Sequence, residues 1–238
     1  MDITKENIDA INGKLENKNA HEIIKFFIDA MDDRITFGTS LGAEDQVITA
    51  ILAELKGKTP IFTLDTGRLF PETYDLIDRT NKKYNIKIHP YFPKSEEVET
   101  MVIEDGINLF YDSIELRHKC CQIRKLNPLK RALEGRDAWF TGLRRSQSIT
   151  RTDMQIVEWD DNSSKIKVNP LIEWTEEDVW NYIKDNKIPY NPLHDKGYPS
   201  IGCQPCTRAI MEGEDIRAGR WWWENPDTRE CGLHAKKE

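Results

Sequence analysis

Apolar residues recur at helical spacing near the start of the chain and in short runs further on. Ile23, Ile24 and Phe27 belong to a pattern with intervals of three and four residues, which predicts one or two helices within 8–31. Strand-like and helix-like patterns then alternate: the predicted strands are 34–39, 60–64 and 86–91, and the predicted helices are 47–55, 71–84 and 95–104. This alternation indicates an α/β fold with a doubly wound, mostly parallel sheet covered by helices.

Further elements are predicted in the second half of the chain. They are a helical stretch at 117–133, a strand at 138–141, a hairpin of 155–159 and 165–168, a helix at 175–186 and a loop at 188–204. Pro128 should interrupt the helical stretch because it lacks a backbone N–H. The expected organisation is a helical segment at 1–33, an α/β domain at 34–223 and a mobile C-terminal tail at 224–238.

Two turns follow predicted strands and contain small and polar residues. One runs from Thr39 to Asp45, and the other from Asp65 to Arg68. Ligands of doubly wound sheets bind at the carboxyl ends of strands, and a helix N-terminus attracts anions. The first turn has neither the Walker A nor the dinucleotide-binding glycine pattern. By itself it is equally compatible with an ordinary capped turn.

The five cysteines carry the strongest chemical signal. Cys120 and Cys121 are adjacent, Cys203 and Cys206 form a C-x-x-C pair, and Cys231 lies near the end of the chain. Thiolates select zinc, copper(I) or iron–sulfur clusters. Zinc ribbons normally use spaced C-x₂₋₄-C pairs, so the adjacent pair favours an iron–sulfur cluster. For any one of these cysteines, burial in an apolar core is the alternative.

Cys231 has a different setting from the two pairs. It lies among small and polar residues in the predicted tail, with His234 three residues later. A thiolate is the reactive form of cysteine, and nearby cations lower its pKa. These features favour a nucleophile, with an unreactive tail cysteine as the alternative.

Charge narrows the class of ligand. The net charge of −7 and the pI near 5.4 disfavour a general nucleic-acid binder. Basic residues nevertheless flank the cysteine pairs and one predicted strand-end loop: Arg117, His118, Lys119, Arg124, Lys125, Arg144, Arg145, Arg217 and Arg220. As a set they suit a phosphate ester, whereas each alone is compatible with an ordinary solvated charge.

Two further features complete the expectations from the residues. The chain shows no signal-peptide pattern and no apolar run that would span a bilayer, which predicts a cytoplasmic protein without membrane contact. A homo-oligomer is compatible with the sequence. Trp221, Trp222 and Trp223 are consecutive, so at least one should pack in a core and anchor the start of the tail; base stacking is the alternative.

Taken together, these motifs resemble the adenylyl-sulfate/phosphoadenylyl-sulfate reductase family. The resemblance rests on Cys120-Cys121, Cys203-x-x-Cys206 and Glu230-Cys231-Gly232-Leu233-His234, together with Leu64-Asp65-Thr66-Gly67-Arg68 and Ser40-x-Gly42-Ala43-Glu44-Asp45. It extends from about residue 34 to residue 234. The pattern is most similar to the iron–sulfur, thioredoxin-dependent branch that acts on adenosine 5′-phosphosulfate (APS).

The resemblance implies an adenine nucleotide α-hydrolase-like fold, one [4Fe-4S] cluster per subunit on Cys120, Cys121, Cys203 and Cys206, and a nucleophilic Cys231. It implies that Cys231 attacks the sulfur of APS, releases AMP and becomes an S-sulfonate that thioredoxin or a similar dithiol resolves. The tail would close over substrate. The substrate-binding residues that it implies are Thr39, Ser40, Leu41, Gly42, Leu64, Asp65, Thr66, Lys125, Arg144, Arg217, Arg220 and His234.

Other functions remain open from the sequence. A reductase of the 3′-phosphorylated nucleotide (PAPS), or one that uses both nucleotides, is the nearest alternative, although the classical PAPS branch lacks the two cysteine pairs. An ATP-using RNA-thiolation enzyme should keep the glycine-rich pyrophosphatase loop, which here reads Ser40-Leu41-Gly42-Ala43-Glu44-Asp45. A cluster-based redox sensor is a more remote reading that gives Cys231 no role.

Overall fold

The computed structural model describes residues 3–147 and 153–225. The chain divides into two compact units, each assembled from separate segments. The first contains Met1–Thr63, Asp75–His89 and Gly135–Asn191, and the second contains Leu64–Tyr74, Pro90–Glu134 and Pro192–Glu238.

The secondary structure alternates as the sequence predicts. The strands are β1 Ile35–Thr39, β2 Ile61–Leu64, β3 Ile88–Tyr91, β4 Ala138–Phe140, β5 Val157–Asp160 and β6 Lys165–Val168. The helices are α1 Ile8–Leu15, α2 Ala20–Met31, α3 Ala43–Glu54, α4 Pro71–Tyr84, α5 Ser95–Asp105, α6 Ile114–Cys121, α7 Asn127–Ala132 and α8 Glu176–Asp185.

The strands form one six-stranded sheet in the order β3-β2-β1-β4-β6-β5. β1 is parallel to both β2 and β4, and β4 is parallel to β6. β5 runs antiparallel to β6, which confirms the predicted hairpin. The mostly parallel sheet that the alternating pattern predicts is therefore confirmed. Ligands of such sheets bind where the strand order reverses, which here is between the ends of β1 and β4.

The core of the first unit explains why these segments form their elements. Ile35 and Phe37 of β1 are fully buried, as expected for a central parallel strand covered on both faces. α2 begins with a capping box, in which Asn19 and Glu22 each accept the other's backbone N–H at 3.0 Å. Phe27 of α2 packs edge-on against Phe140 of β4. Full burial of such a side chain stabilises the fold by about 1.5–3 kcal/mol.

The second unit has its own small core. Met101, Leu109, Phe110 and Trp221 pack there with Cys203 and Cys206. Trp221 is 1% exposed, which confirms that one of the three tryptophans is a core residue. Trp222, in contrast, is 36% exposed.

A wide turn interrupts the predicted helical stretch. Residues Gln122–Leu126 form a π-helical turn, and the N–H of Asn127 bonds to the carbonyl of Gln122. Pro128 then lies in the first turn of α7, where its missing N–H removes no helical bond. The break predicted at Pro128 is thus a restart of the helix after one wide turn. Across the described parts of the chain, no helix is both long and apolar enough to cross a membrane.

Candidate functional site

Four of the five cysteines line one cavity in the second unit. Cys121, Cys203 and Cys206 are buried, Cys120 is partly buried, and all four are free thiols. The cavity encloses about 370 Å³, including space open to solvent. Its described lining residues are Arg68, Phe110, Arg117, Cys120, Cys121, Arg124, Lys125, Cys203, Pro205, Cys206 and Trp221. The structure therefore brings the two cysteine pairs together and surrounds them with cations.

One helical face supplies almost half of this lining. Arg117, Cys120, Cys121, Arg124 and Lys125 have the spacing i, i+3, i+4, i+7 and i+8, which places them on one side of a helix. This spacing was available in the sequence and would have predicted that Arg117, not His118, faces the cysteines. The structure buries Arg117 completely and leaves His118 exposed.

The loop after β2 is bonded to the loop that contains the second cysteine pair. The Thr66 hydroxyl lies 3.3 Å from Cys203 Sγ, and the N–H of Gln204 donates to the Arg68 carbonyl at 2.8 Å. Arg124 Nη1 donates to the Thr66 carbonyl at 2.6 Å. Thr66, which the resemblance assigns to the nucleotide, thus contacts a cysteine of the cavity.

Burial affects the protonation of two of these thiols, those of Cys120 and Cys206. Desolvation raises the pKa of Cys206 to about 12 and also raises the pKa of Cys120, with Arg124 opposing the shift at Cys120. The protonated forms of Cys120 and Cys206 are therefore favoured at neutral pH in the protein alone. A metal centre here would have to displace these protons, because thiolates are the ligand form.

The donor set fits a thiolate-ligated cofactor. The cavity lining contains four sulfur donors and four cationic side chains, and no carboxylate is among its described residues. Cations near thiolates offset the negative charge that such ligands carry. Within residues 3–147 and 153–225, no three His, Cys, Asp or Glu side chains are grouped as for a single metal ion. Cys120, Cys121, Cys203 and Cys206 are the residues that could hold a cluster.

A buried ion pair lies beside the cysteine-bearing face of α6. Arg117 donates from Nε to Glu224 Oε1 at 2.8 Å and from Nη2 to Glu224 Oε2 at 2.9 Å. The two side chains are 0% and 4% exposed. The Arg117 guanidinium lies 4.8 Å from the ring centre of Trp221, and that of Arg220 lies 4.6 Å from it. Arg220 is buried, and Arg217 is partly buried.

In the first unit, Asp45 organises the loop after β1. Its carboxylate accepts the backbone N–H of Ser40 at 2.5 Å and the Ser40 hydroxyl at 2.7 Å. Burial raises the pKa of Asp45 to about 6, although these hydrogen bonds and one from the Gly142 backbone oppose the shift. A Cβ on Gly142 would overlap the Asp45 carboxylate, so glycine is required there.

The same loop uses its own N–H groups internally. Ser40 donates its N–H to Asp45, and Leu41, which has a positive φ of 62°, donates its N–H to the Thr39 hydroxyl. The turn of small residues was expected to present such groups to an anion. In the structure these two donors are already engaged, because Asp45 in the first turn of α3 and the Thr39 hydroxyl accept them.

Arg144 follows β4 and is also engaged internally. It is 2% exposed, and its Nε donates to Glu44 Oε1 at 2.8 Å. Its Nη1 donates to the Ser146 hydroxyl at 2.8 Å, and Gln147 donates to the same Glu44 oxygen. The charge of Arg144 is therefore largely balanced within the first unit.

Asp65 belongs to the second unit and is held by two donors. It accepts the N–H of Gly67 at 2.8 Å and the hydroxyl of Tyr74 at 2.9 Å. Burial, together with this hydrogen bond, raises the pKa of Tyr74 to about 12. Tyr74 therefore stays protonated and donates to Asp65 throughout the neutral range.

The predicted site residues divide between the two units. Thr39, Ser40, Leu41, Gly42 and Arg144 lie in the first unit, and Leu64, Asp65, Thr66, Lys125, Arg217 and Arg220 lie in the second. Cys231 and His234 lie outside the described residues. The sequence analysis did not identify the roles of Glu44, Asp45 and Glu224 as carboxylate partners. Glu44 and Asp45 were visible in the loop motif, whereas nothing in the local sequence pairs Glu224 with Arg117.

Comparison with known proteins identifies the family. Residues 34–209 match the phosphoadenosine phosphosulfate reductase domain. The chain is 53% identical over 205 residues to adenosine 5′-phosphosulfate reductase of Allochromatium vinosum, which covers 86% of this chain and 80% of that protein. It is 50% identical over 226 residues to the enzyme of the same name from Sinorhizobium fredii strain USDA 257, covering 95% and 90%.

Comparison with a solved structure supports the same family. The crystal structure of phosphoadenylyl-sulfate reductase from Candida auris, a phosphate complex, superposes with a TM-score of 0.74 at 29% identity and covers 88% of this chain and 99% of that chain. The adenine nucleotide α-hydrolase-like fold that the resemblance implies is confirmed. The chain therefore belongs to the phosphoadenosine phosphosulfate reductase family and is an oxidoreductase.

Proposed function

We propose that this enzyme reduces APS to sulfite and AMP in assimilatory sulfate reduction in the cytoplasm, with Cys231 as nucleophile and a thioredoxin-type dithiol as reductant. The observation that carries this proposal is the cavity in which four thiols and four cations meet. Identity of about one half to enzymes named adenosine 5′-phosphosulfate reductase supports APS as the nucleotide.

The first step is a sulfonyl transfer. The Cys231 thiolate attacks the sulfur of APS and forms an S–S bond, while the bond from that sulfur to the bridging phosphate oxygen breaks. The electron pair of the broken bond leaves with AMP. The step produces an S-sulfonate on Cys231 and requires the thiolate, which neighbouring cations stabilise.

The second step supplies the electrons. A thiolate of the dithiol donor attacks Cys231 Sγ, and the pair of the S–S bond departs with sulfite. The second thiol of the donor then displaces Cys231 from the mixed disulfide. The donor is oxidised to its disulfide, the sulfonate sulfur is reduced to sulfite, and the Cys231 thiolate is restored.

A [4Fe-4S] cluster held by Cys120, Cys121, Cys203 and Cys206 would supply local charge rather than electrons, because the dithiol provides both of the electrons that the reduction requires. The neighbouring residues perform the binding. We assign Lys125, Arg217 and Arg220 of the second unit to the phosphosulfate, because cations screen its charge and orient it. We assign Leu64, Asp65 and Thr66 to the adenosine.

In the first unit, we assign the loop 39–42 to the adenosine and Arg144 to the phosphosulfate. The ion pair between Arg144 and Glu44 limits how strongly Arg144 can attract the phosphosulfate. A paired arginine presents less net charge, so Arg144 should orient the anion more than attract it. His234 is assigned to the neighbourhood of the nucleophile.

Mass spectrometry tests the covalent step directly. Protein mixed with APS in the absence of thiol should carry an adduct of ~80 Da on the peptide that contains Cys231, as capture of the sulfonyl group requires. Cys231→Ser should retain iron and form neither the adduct nor sulfite. Sulfite production by this variant would reject Cys231 as nucleophile.

The choice of nucleotide needs a separate measurement. The structurally similar protein from Candida auris is named a phosphoadenylyl-sulfate reductase, so PAPS is the second candidate substrate. We expect kcat/KM with thioredoxin to be higher for APS than for PAPS. Equal values would indicate an enzyme that uses both nucleotides, and a higher value for PAPS would contradict the proposal.

A further inference from the structure

The Arg117–Glu224 pair joins two parts of the second unit that are far apart in sequence. Arg117 lies on α6, one helical turn before Cys120. Glu224 lies directly after the three tryptophans, and Cys231 follows seven residues later. Both oxygens of the carboxylate are bonded, at 2.8 and 2.9 Å, so the orientation of Glu224 is fixed as well as its position.

The residues just before Glu224 are held equally firmly. Trp221 donates its N–H to the Cys206 carbonyl at 3.1 Å, and Glu224 donates its N–H to the Trp221 carbonyl at 2.9 Å. Trp221 has a positive φ of 43°, an unfavourable conformation for a bulky side chain. Such conformations persist where the surrounding structure imposes them, and they concentrate at functional sites.

A buried ion pair at this place calls for a reason beyond stability. Desolvation of two charges offsets most of their attraction, so a buried pair adds little net stability compared with apolar residues of similar size. Its better supported use is to specify one geometry. Here the geometry that it specifies is the position of Glu224, seven residues before Cys231 in the chain, against the helix that bears Cys120 and Cys121.

We propose that Arg117 and Glu224 are positioning residues that form a fixed pivot for the segment carrying Cys231. The inference rests on the proposed role of Cys231 as nucleophile. Seven residues span at most ~25 Å, so a pivot at Glu224 limits the volume in which the thiol can be found. A shorter and fixed tether raises the effective concentration of the thiol at its target, and correct orientation lowers the barrier further.

The structure offers a matched control in the same unit. Arg208 and Glu214 also form a two-point ion pair, at 2.8 and 2.7 Å, but their side chains are 34% and 31% exposed. Glu214→Gln therefore removes a carboxylate from a two-point pair that is partly exposed and lies further from Cys231 in the chain. Glu224→Gln keeps side-chain length and loses the charge, whereas Glu224→Asp keeps the charge and displaces the carboxylate by about 1.5 Å.

The experiment measures formation of the Cys231 adduct in a single turnover with saturating APS, alongside iron content and the KM for APS. We expect Glu224→Gln to form the adduct about tenfold more slowly, with Glu224→Asp intermediate, because misplacement of a reacting group lowers the rate rather than affinity. KM and iron content should match those of the wild type and of Glu214→Gln.

Two results would overturn the pivot. One is a rate in Glu224→Gln equal to that in Glu214→Gln. The other is loss of iron from both Glu224 variants, since the pair would then serve the fold rather than the nucleophile. Absence of the adduct in the wild type is a different result, because it would overturn the proposed function itself and the pivot with it.

Discussion

Each of the two compact units contains a buried arginine, and the charges around the two arginines differ. Arg144 of the first unit is paired with Glu44, which lies in the first turn of α3, and it lies beside Ser146 and Gln147. Arg117 of the second unit faces a cavity whose described lining has four cations, four thiols and no carboxylate, and its partner Glu224 comes from outside that lining. Arg144 is neutralised by a carboxylate beside it, whereas the described lining of the cavity in the second unit contains cations and no carboxylate. Of the two regions, the cavity is therefore the one whose lining is better suited to an anionic ligand.

The strongest test of this contrast removes one sulfur from the cavity. Cys203→Ser should lose bound iron, and turnover should fall by more than the ~100-fold that follows loss of an outer-shell partner of a metal ligand. Iron analysis and sulfite assays measure both effects. Cys231→Ser is the matched control, because it also removes one thiol but should keep its iron. Full iron content in Cys203→Ser would show that the cavity does not hold the cluster.

The next test concerns the first region, where the effect should be on stability and independent of iron. Asp45 has a pKa of about 6 in the folded protein, above its ordinary value near 4. The folded state therefore binds the proton more tightly. The free energy of unfolding contributed by this group is greatest below pH 4 and falls by about 3 kcal/mol as the pH rises through 6.

Asp45→Asn isolates that contribution. Denaturant unfolding of wild type and variant between pH 4 and 7 should give a difference in free energy of unfolding that changes by about 2 kcal/mol over this range, because the unfolded carboxyl is already half ionised at pH 4. A constant difference across the same range would show that Asp45 titrates normally. Both Ser40 donors bond to Oδ2, which the amide oxygen of Asn can replace, but Asn has no second oxygen to accept the Gly142 backbone N–H, so the wild type should be the more stable of the two at pH 4.

A smaller effect is expected from crowding Asp45. Gly142→Ala places a methyl group on the carboxylate and should lower the free energy of unfolding by about 1–3 kcal/mol, as overpacking does. Gly13→Ala is the matched control, because its methyl group meets no atom within 4 Å in α1. That change should raise helix stability by about 0.5–1 kcal/mol. Thermal unfolding compares the two, and equal behaviour would remove the steric role of Gly142.

The smallest expected effect is at Thr66. Thr66→Val keeps the side-chain shape but removes the hydroxyl that lies beside Cys203 Sγ and accepts the Arg68 N–H at 3.2 Å. Loss of that acceptor should lower the free energy of unfolding by about 1 kcal/mol. Thr66→Ser keeps the hydroxyl and should behave as wild type in chemical denaturation. Identical curves for the two variants would show that the hydroxyl contributes nothing.

The local sequence pattern predicted individual helices and strands well for a physical reason. α4 spans Pro71–Tyr84, the range expected from its periodicity, and the hairpin of β5 and β6 was marked by its alternating residues and polar turn. These features depend on neighbours in sequence. The strand order could not be read in the same way, because it is set by packing among segments separated by helices.

In the site, too, features marked by local sequence motifs were predicted, whereas contacts between distant segments were not. The two cysteine pairs were expected to meet, and they line one cavity in the second unit. The Arg117–Glu224 pair joins residues on opposite sides of the cysteine loop in the chain, and no spacing rule connects them. Asp45 was part of a recognised motif, but its use of the Ser40 N–H depends on burial and on the absence of a side chain at Gly142.

The wide turn at Gln122–Leu126 has a consequence for the permitted length of this stretch. A π-helical turn amounts to one residue inserted into a regular helix, which the wider turn accommodates. Deletion of one residue here would restore regular hydrogen bonding but would narrow the turn and displace Arg124 and Lys125, which lie in it and line the cavity. The stretch should therefore tolerate substitutions at Gln122 far better than any change in residue number.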